Sequence, residues 1–342
     1  MKFILFFSLL LVYLGCAGPL KTDISARPAS NYEFSVLQGS TDETSTVLRI
    51  VYPNYLNPSI RIFDDKNQSV PINRLKEFKN PAYEFKSVHI FLKDLSPKKL
   101  YHLEISMPGE RWKDTRTFKT LAEKNKLKIL VASCMNDTYN EIGNAIWPKA
   151  FSHKPDVVFL IGDNLYADIY SGIYIGAKIP STPDHLWRRH VDHAMVMKLY
   201  RMKHLTPTFV TWDDHDYGLN DGDKNYKYKI QAKKIFNSFF PVYENDYLKL
   251  GHGVGSALSF KNYHFYFLDG RSFRDSSKNK DGYHLGTKQR KWLYSNLKKH
   301  NGQQWLILGD QFFGGYHSYE SFEGLHPKRF KEFLDQLKNL EK

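Results

Sequence analysis

Cysteine is scarce in this chain: only Cys16 and Cys134 carry a thiol among 342 residues. Acidic residues fall short of balance, 36 Asp and Glu against 49 Lys and Arg, for a net charge of +13. The lysines are nevertheless spread along the chain and form no dense basic block. No helix-turn-helix, zinc-finger or single-strand-binding signature is present, so no specific nucleic-acid partner is expected. Beyond the apolar run that starts at Phe3 and ends at Leu14, no segment is apolar enough to span a bilayer. A basic surface of this kind attracts phosphorylated substrates or anionic lipid, and it also serves simply as a solvated exterior.

Apolar material is sufficient for a sizeable core, at 42% hydrophobic and 15% aromatic residues. The length suits two domains better than one. Residues 1–16 read as an export signal: Lys2, then the apolar run, then Gly15, Cys16 and Ala17. The end of this stretch resembles a bacterial lipoprotein signal with Cys16 as the lipidated first residue, although Tyr13 and Leu14 depart from the usual lipobox. That resemblance implies an exported protein of the cell envelope, held to a membrane through Cys16. Cys134 then has no partner within the chain, and is either a buried small hydrophobe or a thiolate ligand. Residues 17–31, polar with Pro19 and Pro28, read as a tether.

From 32 to 121 the pattern is one of short strands with turn signals, at 46–52, 59–63, 87–92, 101–105 and 115–121. Such spacing predicts a β-sandwich. The stretch Leu95-Ser96-Pro97-Lys98-Lys99-Leu100-Tyr101 resembles the entry to a late strand of fibronectin type III domains, where a Tyr hydroxyl pins the corner. No titratable cluster stands out here, so this domain is expected to be a structural or interaction module.

After a charged linker at 122–125 the character turns to α/β, and residues 126–342 are expected to form one layered domain. Buried strands are predicted at 127–132, 157–161, 208–212, 263–268 and 304–308. Helices are predicted at 140–153, within 183–205, and at 227–240, 287–299 and 327–340. The run 157–161 is continuous and apolar, and ends at Gly162 and Asp163. Alone, Gly162-Asp163-Asn164 reads equally well as a turn. However, four of the five strand ends finish in ligand-capable residues: Cys134, Asp163, the run Asp213 to Asp216, and Asp269 with Arg271. In a sheet layered with helices such tips converge on one edge.

The chemistry of these residues points to metal-assisted hydrolysis. Asp163 and Asp214 offer hard oxygen ligands, Asn220 an amide oxygen, Tyr166 a phenolate and Cys134 a thiolate. Cys and Tyr together suit iron. Metal acidifies a bound water and stabilises charge on phosphoryl oxygens. His215, flanked by Asp213, Asp214 and Asp216, is expected to be protonated, and either to hold the phosphoryl group or to protonate the leaving alkoxide. Arg271 has the fork to clamp phosphate, or else pairs with Asp269. Tyr166 also fits a core position with a satisfied hydroxyl; Asp216 and Asp221 suit turn caps; His185, His190 and His193 read as surface or core.

Three motifs resemble the alkaline phosphatase D (PhoD-like) family of metallophosphatases: Ala132-Ser133-Cys134, the stretch from Gly162 to Asp168, and the stretch from Trp212 to Asp221. Leu268-Asp269-Gly270-Arg271 and the strand from Trp305 to Gln311 also fit in order. The resemblance implies hydrolysis of phosphate mono- or diesters outside the cytoplasm, often with iron and calcium. It implies Cys134, Asp163, Tyr166 and Asn220 as metal ligands and says less of Asp213 and Asp214. With the chemistry above, Asp214 is expected among the ligands, and His215, Arg271 and Asp213 as catalytic residues. Family members continue past the last helix into a strand with a Gly-Asp-x-His-like motif. Nothing follows Lys342, and Gly309-Asp310-Gln311 lacks the His, so the domain is expected to be incomplete at its C-terminal end, with an exposed sheet edge. The favoured expectation is an envelope metallophosphatase acting on a phosphorylated small molecule or a phosphodiester polymer. The alternatives are a non-catalytic shortened relative acting as a surface or binding lipoprotein, and a basic envelope protein that recognises anionic lipid or polymer.

Overall fold

The structure, a computed structural model, describes residues 34–121, 126–137, 140–170, 173–174, 179–243, 248–315 and 317–340. Cys16 and the expected tether lie outside these residues. Among the described residues, no helix is long and apolar enough to cross a membrane.

Seven strands come first: β1 (Ser35–Thr41), β2 (Thr46–Pro53), β3 (Ser59–Asp64), β4 (Arg74–Lys79), β5 (Phe85–Leu92), β6 (Leu100–Ser106) and β7 (Lys113–Lys119). They pair antiparallel in two sheets, β1-β2-β5-β4 and β3-β6-β7. β6 and β7 bury alternate side chains. Leu103, Ile105 and Phe118 thereby meet Leu48, Ile50, Val88 and Ile90 in one apolar core, which makes the expected β-sandwich. The Tyr101 corner forms as well: its buried hydroxyl accepts the Ser96 N–H at 2.7 Å.

Two strands escaped the sequence pattern. β1 carries Gln38, Ser40 and Thr41, buried polar residues: Gln38 Nε2 donates to Thr41 Oγ1 at 3.2 Å and to Lys119 O at 2.8 Å, and Ser40 Oγ accepts the Tyr243 N–H. β4 is a charged edge strand, and edges tolerate charge that a central strand does not.

β1, β2 and β5 are buried on both faces, because the rest of the chain covers the second face. Ser87 Oγ donates to Ser238 O at 2.5 Å, and His89 Nε2 donates to the same carbonyl at 2.9 Å. Arg116, buried, holds Asp114 with two bonds of 2.7 and 2.6 Å and reaches Met202 O at 2.9 Å. His89 is pushed down to about 3 by burial, with Arg49, Lys76 and Arg74 adding to the shift. Its folded pKa lies below its ordinary 6.5, so the unfolded chain binds the extra proton first, and stability is lost as pH falls below 6.5 towards 3. Between pH 6.5 and 5 this amounts to about 2 kcal/mol. A His89→Gln variant keeps a donor for Ser238 O but does not titrate; its urea midpoint is expected to fall less than the wild type's over this interval. Parallel pH profiles for the two proteins would contradict this.

The remaining elements are β8 (Ile129–Ala132), α1 (Asn140–Ser152), β9 (Val157–Ile161), the two-residue strands β10 (Ile169–Tyr170) and β11 (Ile173–Tyr174), α2 (Pro183–Val196), β12 (Thr208–Thr211), α3 (Asp214–Tyr217), α4 (Lys229–Phe239), β13 (Leu248–Leu250), β14 (Ser256–Phe260), β15 (Tyr263–Phe267), α5 (Thr287–Lys299), β16 (Gln303–Ile307), α6 (Phe322–Leu325) and α7 (Pro327–Lys338). The five expected strands do not share one sheet. β12-β9-β8 form a parallel sheet, and β13-β14-β15-β16 form a second, mixed one. β9 shows why. Val158 and Leu160 pack with Leu186 and Trp187 of α2, while Val157 and Phe159 pack with Phe265 and Phe267 of β15. The Phe159 ring meets each of those two rings edge-on at 5.0 Å. On the far side of the second sheet, Tyr266 and Leu268 pack with Leu293 of α5 and Phe333 of α7. The layers are thus helix, sheet, sheet, helix. β8 is also not the buried strand its apolar run suggested: it is an edge strand, with Val131 half exposed.

Candidate metal centre

Loops leaving β9, β12, β15 and β16 meet where the two sheets meet. Gly162 closes β9 at φ +99°, and a Cβ there would lie 2.8 Å from both Asp213 Cβ and Gly309 Cα. This close approach carries the chain into Asp163, itself left-handed at φ +50°, as is Cys134 at +55° after β8. After β12, Asp213 precedes the single turn α3, which Gly218 ends in the left-handed region.

The four residues of the Asp-Asp-His-Asp run divide their work. Asp216, fully buried, accepts from Asp213 N–H at 3.0 Å, Leu165 N–H at 3.1 Å and Asn164 Nδ2 at 3.1 Å, and so ties the β9 and β12 loops together. Burial pushes its carboxyl up to about 7 despite these bonds. Asp213 receives the Arg271 Nε. Asp214 accepts the Asp221 N–H at 2.8 Å and stands 3.8 Å from Arg271 Nη2. Burial opposes its charge, but Arg271 and His215 outweigh it and hold its pKa below the ordinary value. His215 sets Nδ1 2.9 Å from both oxygens of Asp168 and turns Nε2 towards Asp163 Oδ2, 3.9 Å away. Burial works against its charge, yet Asp168, Asp214 and Asp163 raise it to about 10. The Tyr166 ring stacks on the imidazole at 4.1 Å.

Asp163, Asp214 and His215 bring one potential ligand atom each within 4.8 Å of one another. Cys134 Sγ lies 3.8 Å from Asp163 Oδ2. Cys134 is exposed, which removes the buried-hydrophobe alternative. Burial, then the neighbouring charge of Asp214, raises Asp163 well above the carboxylate range. Its Oδ1 is buried without a hydrogen-bond partner. A carboxylate desolvated, crowded by another and left with an orphaned oxygen suits a cation. Asn220, just past α3, bonds Asp221 through its Nδ2 at 3.0 Å and lines an adjoining cavity of about 730 Å³ with Arg274, Lys278 and Lys280.

The Arg271 side chain does not pair with Asp269. Only its backbone N–H binds Asp269, at 2.9 Å; the guanidinium goes to Asp213, leaving Nη1 buried and unpartnered. Burial disfavours its charge, but Asp213 and Asp214 raise its pKa further above the ordinary value, so it stays a cation. His190 and His193 are buried core residues, both held neutral by burial. Asp168 was given no role from the sequence, because the partner that gives it one lies far along the chain. The same holds for Asp310, buried beside the β16 tip and bonded by His284 Nε2 at 2.7 Å and Arg274 at 3.1 Å.

Two sheets packed face to face between helices thus gather buried carboxylates where their tips meet, a helix-sheet-sheet-helix domain with a candidate metal site. The chain belongs to the PhoD-like phosphatase family, whose sequence model matches residues 129–331. It is 25% identical over 272 residues to alkaline phosphatase D of Bacillus subtilis, a match that covers 66% of this chain and 45% of that protein. The chain therefore spans about half the length of that relative. Among solved structures it is similar to the sensor domain of the anti-sigma factor RsgI4 of Pseudobacteroides cellulosolvens, at 20% identity over 28% of this chain and 95% of that one, TM-score 0.21. The fourth constant immunoglobulin domain of nurse shark IgNAR matches at 10% identity over 26% of this chain and 95% of that one, TM-score 0.22.

Proposed function

We propose that this chain hydrolyses phosphate mono- or diesters at a metal centre built on Asp163 and Asp214. The observation that carries this is the buried, unpartnered oxygen of Asp163 beside a second carboxylate. Cys134 Sγ, 3.8 Å from Asp163 Oδ2, favours iron, as a Tyr166 phenolate would; oxygen donors from Asp163, Asp214 and Asn220 would favour calcium. When bound, the metal supplies Lewis acidity and an acidified water.

The chain's own groups do the rest. Asp168 fixes the Nδ1–H of His215, which leaves Nε2–H facing the centre to hand its proton to a leaving alkoxide. Tyr166 keeps the imidazole plane fixed. Arg271 holds Asp213 and lends positive charge to Asp214, so both carboxylates stay in place without a substrate. The cavity beside Asn220, lined by Lys227, Lys278 and Lys280 as well as by Asp221, Asp223 and Glu320, gives room for the remainder of the substrate.

Metal removal tests this proposal. Purified protein is expected to contain iron or calcium and to turn over a chromogenic phosphodiester, with chelation abolishing turnover and metal restoring it. A metal-free chain with no turnover would favour the non-catalytic alternative. We further propose that the protein is exported and anchored in the cell envelope through Cys16; a fatty-acid analogue is expected to label the wild type but not a Cys16→Ser variant.

A further inference from the structure

The sandwich carries charge that the proposed hydrolysis does not use. In the β4–β5 register Arg74 faces Phe91 and Lys76 faces His89, so these side chains share the face turned away from the sandwich core. α4 covers this face at Ser87 and His89 through Ser238. Beyond that contact lies an open cleft of about 640 Å³, walled on the other side by Lys233 of α4 and the glycine-rich loop 251–255.

Among the described residues, four cations line the cleft, Arg74, Lys76, Lys93 and Lys233, and no Asp or Glu lines it. On the opposite face of β4 the cations are matched: Glu77 pairs with Lys79 at 2.8 Å and Lys86 at 3.3 Å. On the cleft face two of the four cations rest on rings instead. The Arg74 guanidinium lies 3.9 Å over Phe91, and Lys76 Nζ 4.8 Å over Phe78. Aromatic faces hold a cation in place without neutralising it, so the positive field stays available to an anion.

We propose that this cleft binds a linear polyanion, a polymer bearing acidic groups at regular intervals. A row of like charges across a groove matches a chain of repeated anions. A bilayer presents a plane and a duplex a broad rod, and neither reaches the rings on the cleft floor. The site goes beyond hydrolysis but adjoins it. Val254, in the cleft wall, donates its N–H to Asp269 Oδ2 at 3.1 Å, and Oδ1 of the same carboxylate accepts the Arg271 N–H at 2.9 Å. A polymer held in the cleft therefore lies against the support of the Arg271 strand tip.

The test is binding of fluorescently labelled inorganic polyphosphate to the full chain, read by anisotropy across a salt series. With four cations engaged, affinity is expected to fall about fifty-fold between 50 and 200 mM salt. In an Arg74→Gln, Lys76→Gln double variant it should be weaker at low salt and fall only about seven-fold. Both residues are exposed, so the variant folds, and its turnover of a small chromogenic ester should match the wild type's. A Lys298→Gln, Lys299→Gln control should bind as the wild type does. An unchanged salt slope in the Arg74/Lys76 variant overturns the proposal. So does equal, Arg74- and Lys76-dependent binding of anionic phospholipid vesicles or duplex DNA. Because the readout is binding, the result stands whether or not the chain hydrolyses phosphate esters.

Discussion

An Asp163→Asn variant is expected to lose its metal and roughly a hundred- to a thousand-fold in phosphodiester turnover, while its metal-free form becomes harder to unfold. The first half follows from chemistry: Asn keeps the shape but removes a charge and an anionic donor from a group whose ligand atoms lie within 4.8 Å of one another. The second half follows from linkage. Burial and the Asp214 charge raise the folded pKa of Asp163 above its unfolded value. The folded state then holds the proton longer, and the stability it confers is lost as pH rises through the raised pKa. Asn never ionises and escapes this penalty. After chelation the variant should therefore show a higher urea midpoint than the wild type at alkaline pH, with the gap closing in acid. Metal analysis and denaturation together check the prediction. A variant that keeps its metal, or a metal-free variant less stable than the wild type at high pH, would show that Asp163 is structural.

The same residue shows how far the sequence reached. Residues 157–161 announced a buried strand because all five are apolar, and all five are needed: alternate residues serve two different cores. That dual service also hid the second sheet, since an apolar run does not record whether its outer neighbour is a helix or another sheet. The run from Asp213 to Asp216 was visible as a cluster of charge, but its division of labour was not. Its last three residues form one helical turn, where side chains fan out by about 100° per residue, so neighbours in sequence point to different partners. Asp214 faces the centre, His215 reaches Asp168, Asp216 ties two loops together, and Asp213 ahead of the turn meets Arg271. Asp168 lies 47 residues from the imidazole it orients, a pairing that no local pattern contains. β4 stayed hidden for a related reason: its charges are those of an edge, and what they face depends on α4, far along the chain.

A Gly162→Ala substitution should cost roughly 3 kcal/mol or more and should empty the centre as well. Two penalties combine. At φ +99° an L-residue is strained by about 1–2 kcal/mol. The new methyl would also lie 2.8 Å from Gly309 Cα and 2.8 Å from Asp213 Cβ. Those neighbours have nowhere to go, because Gly309 is itself pressed on Trp212: a Cβ at Gly309 would meet the Trp212 carbonyl oxygen at 2.4 Å. Tips of both sheets thus touch through a pair of glycines, and widening the gap moves the residues that follow each tip. Asp163 follows Gly162, Asp213 follows Trp212, and Asp310 follows Gly309, so one methyl disturbs a candidate ligand and two neighbouring buried carboxylates at once. Gly315, where an added methyl would meet nothing within 4 Å, is the control, and Gly315→Ala should change stability by no more than about 0.5 kcal/mol. Urea midpoints and metal content measured on both variants decide the matter. If Gly162→Ala unfolds like Gly315→Ala, the two sheets are not locked at this crossing. If it is destabilised yet keeps its metal, the position of Asp163 does not depend on the lock.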